Sequence, residues 1–519
     1  MIWILYLLGA FVTIALLKDL FGMVKYFNKY RTQGIGLRFN PVIGNVRYFI
    51  TKDKKDGMAG FKKLLKSMKK DEEVVALNHI FLPEPVLFIK SGKLMKEFLA
   101  KDNEYCTRRL PFTMPVNIGF ILKAGPEALK LRTIFSKFFV QKHLEKITPM
   151  IEKFVMQKLK VIKKDLRKGN SKDSKKFTKI ELQKYWKDLF SELVNYIMFG
   201  NEDYPEVDGM TIPRAVEHLI KVSTLEIHQH PLNRLFFTIP AKLGLLPRCQ
   251  EMKDLAKKID KACLDMYRKR TKLAPEQRSS NLIDLMVEHN LNCPEDEILN
   301  EEMIAGNLFL FQIAGMDTSR QVTLSSLHVL SKRPELAQNL HSDVNNQMFK
   351  DGEKKIIGSL EGLEKSTYLN NFLREALRMF GAVPLIFPRT ATKNFKLGKY
   401  KIYKGTSFMV FLTGPQYDAE TFKDPKEFKV DRFADPQTFA KASRHGNYLP
   451  FSSGNRECIG KYLAEIFIKV GLCHFLKEFE IAEVEGFDPK IEFAFTYGLK
   501  DCWVKARPRG EVTSGGDSE

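Results

Sequence analysis

Cys458 stands directly before a run of apolar residues at helical spacing, from Ile459 to Phe475. A thiol at the start of a helix lies near the positive end of the helix dipole and near the free N–H groups of the first turn, and both stabilise its thiolate form. The thiolate is the form of cysteine that binds metals. The position therefore predicts a metal-ligating thiolate, although most free cysteines are buried and inert.

The residues around Cys458 suit a flat, anionic partner such as haem. Gly454 and Gly460 allow unusual backbone dihedrals and a close approach to a macrocycle, where a Cβ would collide. Phe451 can shield the sulfur, and Arg456 can donate charge-assisted hydrogen bonds to a haem propionate. These residue types at these spacings together predict a loop that holds one thiolate against a haem iron.

A second candidate site lies in the long helical run from about Asn300 to Ser331. There Gly315 provides space beside an acid, Asp317, and an alcohol, Thr318. If Thr318 bonds back to the carbonyl of Ala314, the helical hydrogen-bond ladder loosens and leaves a polar notch that could hold dioxygen. A crowded helix crossing beside a solvated acid would give the same pattern, so this interpretation depends on Cys458.

Glu375 and Arg378 lie three residues apart on a predicted helix from Tyr368 to Phe380, so they share a face and can form a pair. Most pairs of this kind are surface salt bridges worth at most about 1 kcal/mol. Arg432 could join them in a buried network that braces the cysteine loop. The predicted role of the three residues is structural.

Helical periodicity dominates the chain between about Pro126 and Leu340, whereas the β-like stretches are short. The predicted fold class is mainly α with a minor β-sheet. Strands are predicted at Val74–Leu77, Val86–Ile89, Lys396–Ile402 and Phe408–Leu412. Solvated loops are predicted at Lys164–Lys179, Ala274–Ser280 and Lys350–Lys355.

Residues 1–24 predict an N-terminal transmembrane anchor. Met1–Leu17 contains no charged residue and, at about 1.5 Å per residue, just spans a bilayer. Lysines such as Lys18 and Lys25 follow it, so the positive-inside rule places the remaining chain on the cytosolic side. A cleaved signal peptide is the alternative, but its positive n-region and cleavage site are not evident. Residues 25–45 are expected to form a linker and a Pro/Gly hinge.

The composition argues against several classes of protein. The 7 cysteines form no CxxC pair, which disfavours a zinc ribbon or a disulfide framework and fits a reducing compartment. The net charge of +21 is spread over most of the chain, so anionic lipid or an acidic protein explains it better than nucleic acid does. Neither a dinucleotide-binding fingerprint nor a flavin module is evident, which disfavours a protein that binds NADPH or a flavin itself.

Together these motifs resemble the cytochrome P-450 family of membrane-anchored haem-thiolate monooxygenases. In that family the oxygen-notch helix, the Glu-x-x-Arg helix, the Arg-Phe meander and the cysteine loop follow one another, as they do here. The resemblance runs from near Pro41 to about residue 505. It implies one catalytic domain at 46–505, folded as a triangular helical prism with haem between two central helices. Residues 506–519 are expected to form a disordered tail.

The resemblance also implies residue roles. Cys458 corresponds to the axial ligand of the haem iron, and Asp317 with Thr318 corresponds to the acid–alcohol pair of proton delivery. The structural triad corresponds to Glu375, Arg378 and Arg432.

Two further arginines resemble family residues at the haem propionates. Arg389 corresponds to a strand arginine that binds a propionate. Arg132 corresponds to the arginine of the family's Trp-x-x-x-Arg helix, in which Ala128 stands in place of the tryptophan. One propionate contact is therefore expected to be missing or to come from elsewhere. Val430 likewise replaces the usual proline of the meander.

The resemblance implies a monooxygenase that contains haem b, uses O2 as co-substrate and draws electrons from NADPH through a flavoprotein reductase, with cytochrome b5 as a further partner. It implies a single-pass protein of the endoplasmic reticulum membrane, in contact with lipid, whose catalytic domain faces the cytosol. The substrate is expected to be lipophilic, because the candidate pocket segments are apolar, as core segments also are. These segments are Leu110–Leu122, Phe309, Phe311, Leu385–Phe387 and Phe493–Tyr497.

Three other functions remain open from the sequence. A haem-thiolate isomerase or dehydratase would rearrange a lipid peroxide without a reductase; the intact pair Asp317–Thr318 argues against it, because peroxide rearrangement needs no proton delivery. A haem-binding sensor or carrier would bind haem without turnover. A non-haem scaffold at the membrane would leave the residues around Cys458 unexplained.

Overall fold

The computed structural model describes residues 24–25, 27–38, 59–79, 82–108, 118–169, 176–200, 204–224, 246, 248–279, 281–348, 360–386, 388–493 and 496–509. Its helices are α1 (Ala59–Ser67), α2 (Gly92–Tyr105), α3 (Gly125–Ser136), α4 (Gln141–Gly169), α5 (Leu182–Phe199), α6 (Ile212–Lys221), α7 (Cys249–Thr271), α8 (Leu282–Asn292), α9 (Glu301–Lys332), α10 (Pro334–Met348), α11 (Leu360–Lys365), α12 (Thr367–Phe380), α13 (Pro436–Arg444) and α14 (Lys461–Glu478).

The strands are β1 (Gly36–Arg38), β2 (Val74–His79), β3 (Leu82–Ile89), β4 (Cys106–Arg108), β5 (Thr178–Glu181), β6 (Glu206–Val207), β7 (Met210–Thr211), β8 (Arg389–Ala391), β9 (Phe395–Leu397), β10 (Tyr400–Ile402), β11 (Ser407–Val410), β12 (Phe479–Ala482), β13 (Ile491–Phe493), β14 (Tyr497–Leu499) and β15 (Trp503–Pro508). The prediction of a mainly helical fold with minor sheets is confirmed.

Helix α9 is the central helix of the fold and contacts α5, α7, α12 and α14. It begins where the Asn300 side chain accepts a hydrogen bond of 2.8 Å from the N–H of Met303. It ends at Lys332 because Pro334 disfavours the helical conformation at Arg333, which has a φ of −130°. Most residues of α9 are buried on all sides, as expected for a helix in the core of a large domain.

The largest sheet has six strands in the order β1-β2-β3-β11-β8-β4. Two of the predicted strands are confirmed as parts of β2 and β3, and the predicted strand Phe408–Leu412 overlaps β11, which ends at Val410. The predicted strand Lys396–Ile402 is wrong in one respect, because it is a hairpin of β9 and β10. Gly398 has a φ of +53° there, which reverses the chain between the two strands.

Residues assigned to the linker pack into the domain. Within the predicted linker 25–45, Phe27, Tyr30 and Ile35 are buried in the core beside the six-stranded sheet. The Tyr30 hydroxyl forms a hydrogen bond with the hydroxyl of Thr406. Part of the segment predicted as linker and hinge therefore packs onto the sheet and buries apolar surface there.

Three other predicted segments differ or lie outside the described residues. Helix α4 continues to Gly169, so the loop predicted from Lys164 is partly helical, and the basic residues of its last turn suit the helix dipole. Strand β15 runs to Pro508 and pairs Arg507 with Glu480 of β12, so the tail does not begin at 506. The loop predicted at Lys350–Lys355 lies outside the described residues.

The predicted membrane anchor is not tested by the structure. Residues 1–23 lie outside the described part of the chain. Among the helices that are described, none has the length and apolar character needed to cross a membrane.

Candidate active site

The cysteine loop connects α13 to α14. The N–H of Cys458 donates a hydrogen bond of 2.9 Å to the carbonyl of Phe451, which closes the loop. Gly460 is the residue that caps the N-terminus of α14, so the predicted placement of Cys458 just before a helix is confirmed. The half-buried Phe451 packs against the main hydrophobic core.

The two glycines of the loop differ in what they do. Gly454 has a φ of +75°, and a Cβ there would lie 2.6 Å from the carbonyl oxygen of Leu99 in α2. Gly460 has an ordinary φ of −91°, and its Cβ would only touch Phe139 at 3.6 Å. The prediction of an unusual backbone is thus confirmed for Gly454 and wrong for Gly460.

We expect Gly454→Ala to destabilise the protein by about 1–3 kcal/mol, because the left-handed backbone and the contact with Leu99 both oppose a Cβ. Denaturant unfolding of the two proteins measures the difference. Gly209→Ala is a matched control for the backbone alone, since Gly209 has a φ of +70° but open space around its Cβ position. Equal losses in the two variants would show that the contact with α2 contributes nothing.

The side chain of Cys458 is accessible to solvent, yet protein surrounds it deeply enough that burial raises the pKa of its thiol. The sulfur is therefore open to a ligand although many protein atoms surround it. The backbone N–H of Gly460 and the charge of Arg132 act in the opposite direction and lower the pKa. A metal cation at the sulfur would add to these two groups and favour the thiolate.

Arg132, on α3, lies beside the cysteine. Its guanidinium donates a hydrogen bond of 2.7 Å to the carbonyl of Glu457. Burial lowers the pKa of Arg132, whereas the charge of Cys458 raises it. Ala128, one turn earlier, is fully buried and carries no donor, so the position of the family's tryptophan offers no hydrogen bond to a propionate.

Arg389 lies in an arginine cluster that the sequence did not reveal. Arg389 and Arg108 are direct neighbours across β8 and β4. Both bond to Oδ2 of Asp102 on α2, at 2.7 Å for Arg389 Nε and 3.1 Å for Arg108. All three are buried, and like charges on opposing residues of a sheet repel each other. Within the described residues, Nε of Arg108 and Oδ1 of Asp102 have no hydrogen-bond partner.

Arg108 was missed, although its sequence context contains a signal. In β4 the residues Cys106 and Arg108 alternate with the exposed Thr107, so the strand pattern directs the arginine to the buried face. Burial and, next, the charge of Arg389 lower the pKa of Arg108 to about 9. Two arginine side chains on the one carboxylate of Asp102 give the cluster more positive than negative charge.

Arg456 ties the cysteine loop to the segment before α3. Its guanidinium donates to Oδ1 of Asn103 at 3.0 Å and to the carbonyls of Lys123 and Phe120 at 2.8 and 2.9 Å. Burial lowers its pKa to about 10. These donors meet carbonyl groups of the protein, so the role that the structure shows for Arg456 is to hold the loop in place.

The residues present fit haem. A haem carries two propionates at one edge and needs an axial ligand at its iron. The buried arginines Arg108 and Arg389 share one carboxylate, and Nε of Arg108 has no hydrogen-bond partner in the described structure, so the pair can bind further anionic groups. Cys458 supplies a thiol that is open to a ligand. These residues would bind the propionates and the iron, respectively.

The notch on α9 has the predicted hydrogen bond. The hydroxyl of Thr318 donates to the carbonyl of Ala314 at 2.7 Å. Ala314 is exposed and Thr318 is half-buried, although the residues before and after them on α9 are mostly buried. Gly315 was expected to provide space beside Asp317 and Thr318. In the structure a Cβ added there would lie 3.2 Å from the side chain of Val194 on α5, so the space is filled by α5. Gly315 allows α5 to approach α9 closely.

Asp317 has partners on two elements. Its carboxylate accepts hydrogen bonds from Arg320 on the next turn of α9 and from the hydroxyl of Thr496, just before β14. Asp317 and Thr318 are thus adjacent in sequence but bond to different groups. Thr496 and Arg320 were missed by sequence analysis, because neither belongs to a recognisable motif.

The predicted triad is assembled and buried. Arg378 forms two hydrogen bonds of 2.8 Å with the carboxylate of Glu375, and both residues have no exposed surface. Arg432 donates to the same carboxylate at 3.1 Å. The N–H of Lys429 adds a bond of 2.9 Å. Arg378 also binds the carbonyl of Gln416 at 2.8 Å, so the triad fixes the meander onto α12.

Part of the predicted substrate pocket is core instead. Phe309 is fully buried, and Phe311 packs against the rings of Phe120 and Phe135, with centroids 6.1 and 5.2 Å away. Leu385, Ile386, Phe493 and Tyr497 are partly accessible. Residues 109–117, 387 and 494–495 of the candidate segments lie outside the described residues.

Comparison with known proteins agrees with this geometry. The family model described as Cytochrome P450 matches residues 38–500. The chain is similar to the putative cytochrome P450 CYP13A4 of Caenorhabditis elegans, with 24% identity over 82% of this chain and 85% of that protein. It is also similar to the probable cytochrome P450 6d5 of Drosophila melanogaster, with 31% identity over 39% of this chain and 38% of that protein. The chain therefore belongs to the cytochrome P450 family, whose members are haem-thiolate monooxygenases.

Proposed function

We propose that this protein inserts one oxygen atom of O2 into a lipophilic substrate, with electrons that a separate flavoprotein reductase transfers from NADPH. The observation that carries the proposal is the accessible yet deeply placed Cys458 beside Arg132, together with the buried arginine cluster. In the overall reaction, substrate, O2, NADPH and a proton give hydroxylated substrate, water and NADP+.

When bound, haem supplies the iron at which dioxygen is activated and the substrate is oxidised. Cys458 would bind that iron as a thiolate, and Arg132 with the N–H of Gly460 favours its charge. Arg108 and Arg389 would bind the propionates and so hold the macrocycle in place. The triad around Glu375 keeps the polypeptide before the cysteine loop in register with α12.

Asp317 and Thr318 supply protons at the polar notch of α9, where dioxygen would lie. The Thr318 hydroxyl is held by the carbonyl of Ala314, which leaves its oxygen free to accept a hydrogen bond on a partly accessible face of α9. Asp317 is next to it in sequence and partly exposed, so water can connect the two residues.

The proposed partners are inferred from the net charge of the chain and from the lack of a dinucleotide-binding motif in its sequence. No dinucleotide fingerprint is evident in the sequence, and a net charge of +21 favours association with an acidic reductase or cytochrome b5. We place the protein in the endoplasmic reticulum membrane, anchored by residues 1–24 and with its catalytic domain in the cytosol. Membrane fractionation of the full chain and of a variant without these residues tests this placement.

The substrate class is inferred from partly accessible apolar side chains in the candidate pocket segments. The partly accessible residues Leu385, Ile386 and Phe493 can contact a substrate through apolar groups. We therefore propose a sterol, a fatty acid or a lipophilic xenobiotic as substrate.

Reconstitution with NADPH and a flavoprotein reductase tests the proposed reaction. Lauric acid, testosterone and 7-ethoxycoumarin serve as probes, and isotopically labelled dioxygen shows whether the oxygen in the product comes from O2. Label in the product supports monooxygenation. Turnover of a lipid hydroperoxide without NADPH, and no labelled product from any probe, would instead support an isomerase or dehydratase.

We expect Thr318→Ala to lower product formed per NADPH by about tenfold and to raise hydrogen peroxide in proportion. The loss should be smaller than the ~10²-fold typical of a positioned proton donor, because water in the cavity can partly replace the hydroxyl. Thr323→Ala is the matched control, since Thr323 makes the same backbone hydrogen bond on α9 but is buried. Unchanged yield and peroxide in Thr318→Ala would rule out the proton role of Thr318.

A further inference from the structure

We propose that Thr496 and Arg320 are positioning residues that fix the orientation of the Asp317 carboxylate, and that Glu217 extends this control to α6. The proposal rests on the proposed proton-delivery role of Asp317. It adds two elements, the β13–β14 hairpin and α6, to the groups that determine how protons reach the cavity.

Both oxygens of the Asp317 carboxylate have a partner from the protein. Oδ1 accepts from the guanidinium of Arg320, and Oδ2 accepts from the hydroxyl of Thr496. Both donors follow Asp317 in sequence, one on the same helix and the other 179 residues later. A carboxylate held at both oxygens is restricted in its rotation, so its direction depends on both donors.

Thr496 is fixed by its own surroundings. It is buried, with 3% of its surface exposed. The next residue, Tyr497, donates its N–H to the carbonyl of Ala382 at 2.8 Å. Gly498 lies so close to α9 that a Cβ would stand 2.2 Å from Oε1 of Gln321. The backbone around Thr496 therefore packs closely against α9. This packing restricts the hydrogen-bond partners that the Thr496 hydroxyl can reach.

Arg320 lies between two carboxylates. Its side chain is only 6% exposed, and one guanidinium nitrogen lies 4.0 Å from Oε1 of Glu217. In the described part of the chain its Nε has no hydrogen-bond partner, so the guanidinium keeps a donor that neither carboxylate uses. A buried cation between two anions stabilises both of them, and the loss of one anion changes its position relative to the other.

Glu217 connects this pair to the surface of the protein. Lys187 of α5 bonds to Glu217 at 2.7 Å, and Lys221 lies 3.3 Å away. Burial acts to raise the pKa of Glu217, but the hydrogen bond from Lys187 and the charge of Arg320 outweigh it and lower the pKa. A continuous series of charges thus runs from the half-exposed Lys187, through Glu217 and Arg320, to Asp317.

The experiment measures how the reconstituted full-length enzyme divides oxygen between peroxide and water in the absence of substrate. One NADPH, one proton and one O2 give hydrogen peroxide and NADP+, whereas two NADPH, two protons and one O2 give two water molecules and two NADP+. Simultaneous recording of NADPH, O2 and peroxide gives the ratio without knowledge of the substrate. Better proton delivery favours water.

We expect Thr496→Val to raise the peroxide-to-water ratio about fivefold, the factor that corresponds to about 1 kcal/mol for one hydrogen bond. Thr496→Ser should restore the wild-type ratio, because it keeps the hydroxyl. Glu217→Gln should raise the ratio roughly twofold, since the contact with Arg320 is long. Arg214→Ala is the matched control, because Arg214 forms another pair between α6 and α5, with Asp188 at 2.8 Å, that does not include Glu217.

Comparison with Asp317→Asn separates the two proposals. If Asp317→Asn raises the ratio and Thr496→Val does so only when Asp317 is present, the positioning role is supported. If Asp317→Asn raises the ratio but Thr496→Val and Glu217→Gln match the wild type, the positioning role is wrong and the proton role of Asp317 stands. If Asp317→Asn itself leaves the ratio unchanged, the proton role fails and the positioning role fails with it.

Discussion

Cys458→Ala is expected to abolish the strongly red-shifted Soret band that the dithionite-reduced, carbon monoxide-bound wild type should show. The band requires a thiolate at the iron, and Cys458 is the accessible cysteine among the described ones, whereas Cys106, Cys249, Cys263, Cys473 and Cys502 are buried and Cys293 is intermediate. Loss of groups that merely support a metal ligand typically costs ~10–100-fold in activity. Loss of the ligand itself should therefore lower monooxygenase activity by more than about 100-fold.

Cys293→Ala is the matched control for this result. Cys293 is partly accessible, and it follows the C-terminus of α8, so its loss should leave the band and the activity unchanged. A wild-type spectrum in Cys458→Ala would show that another residue binds the iron. A folded wild-type protein without any haem absorption would contradict the monooxygenase function and favour the scaffold.

Glu375→Gln is expected to destabilise the protein by about 3–5 kcal/mol, the usual cost of breaking a buried ion pair from one side. The amide can still accept hydrogen bonds, but it leaves the charge of Arg378 without its carboxylate in a fully buried position. Arg432 loses the same partner. The free energy of unfolding of a typical domain is about 5–15 kcal/mol, so this loss should also reduce the yield of soluble protein.

Denaturant unfolding of the purified proteins and the haem-to-protein ratio measure the effect. Glu361→Gln is the matched control, because Glu361 also pairs with a basic residue, Lys365, on the same face of a helix, but both side chains are exposed. No measurable change is expected there. An unfolding midpoint and a haem content equal to the wild type in Glu375→Gln would show that the triad does not hold the cysteine loop.

Local sequence was sufficient for motifs whose members lie within a few residues of one another. The position of Cys458 before α14, the hydrogen bond from Thr318 to Ala314 and the pair Glu375–Arg378 were all predicted, and the structure contains each of them. Each of these contacts depends on the geometry or the dipole of a single helix and joins residues that lie close together in sequence. Their spacing alone therefore predicts the contact. Arg432 was also predicted to join this pair, although it lies 57 residues after Glu375, and the structure contains that contact as well.

Contacts between distant segments were predicted poorly. Arg456 binds backbone carbonyls near α3, Gly315 accommodates α5, and Phe311 packs into an aromatic cluster. The spacing of residues does not show which side of a helix meets another element, and an apolar stripe has the same appearance in a pocket and in a core. The linker prediction was wrong at Tyr30 for the same reason, because its partner Thr406 lies 376 residues away.

By itself the sequence predicted a mainly helical, haem-thiolate type of protein, with Cys458 as the expected ligand and with an acid–alcohol pair on a long helix. The tertiary structure alone brought Arg108 opposite Arg389 around Asp102, and it placed Thr496 and Arg320 on Asp317. The physical reason is the separation in sequence between the groups that make each contact. Helix spacing fixes groups one turn apart, whereas the balance of charge at a buried site depends on which strands and helices the whole core packs together.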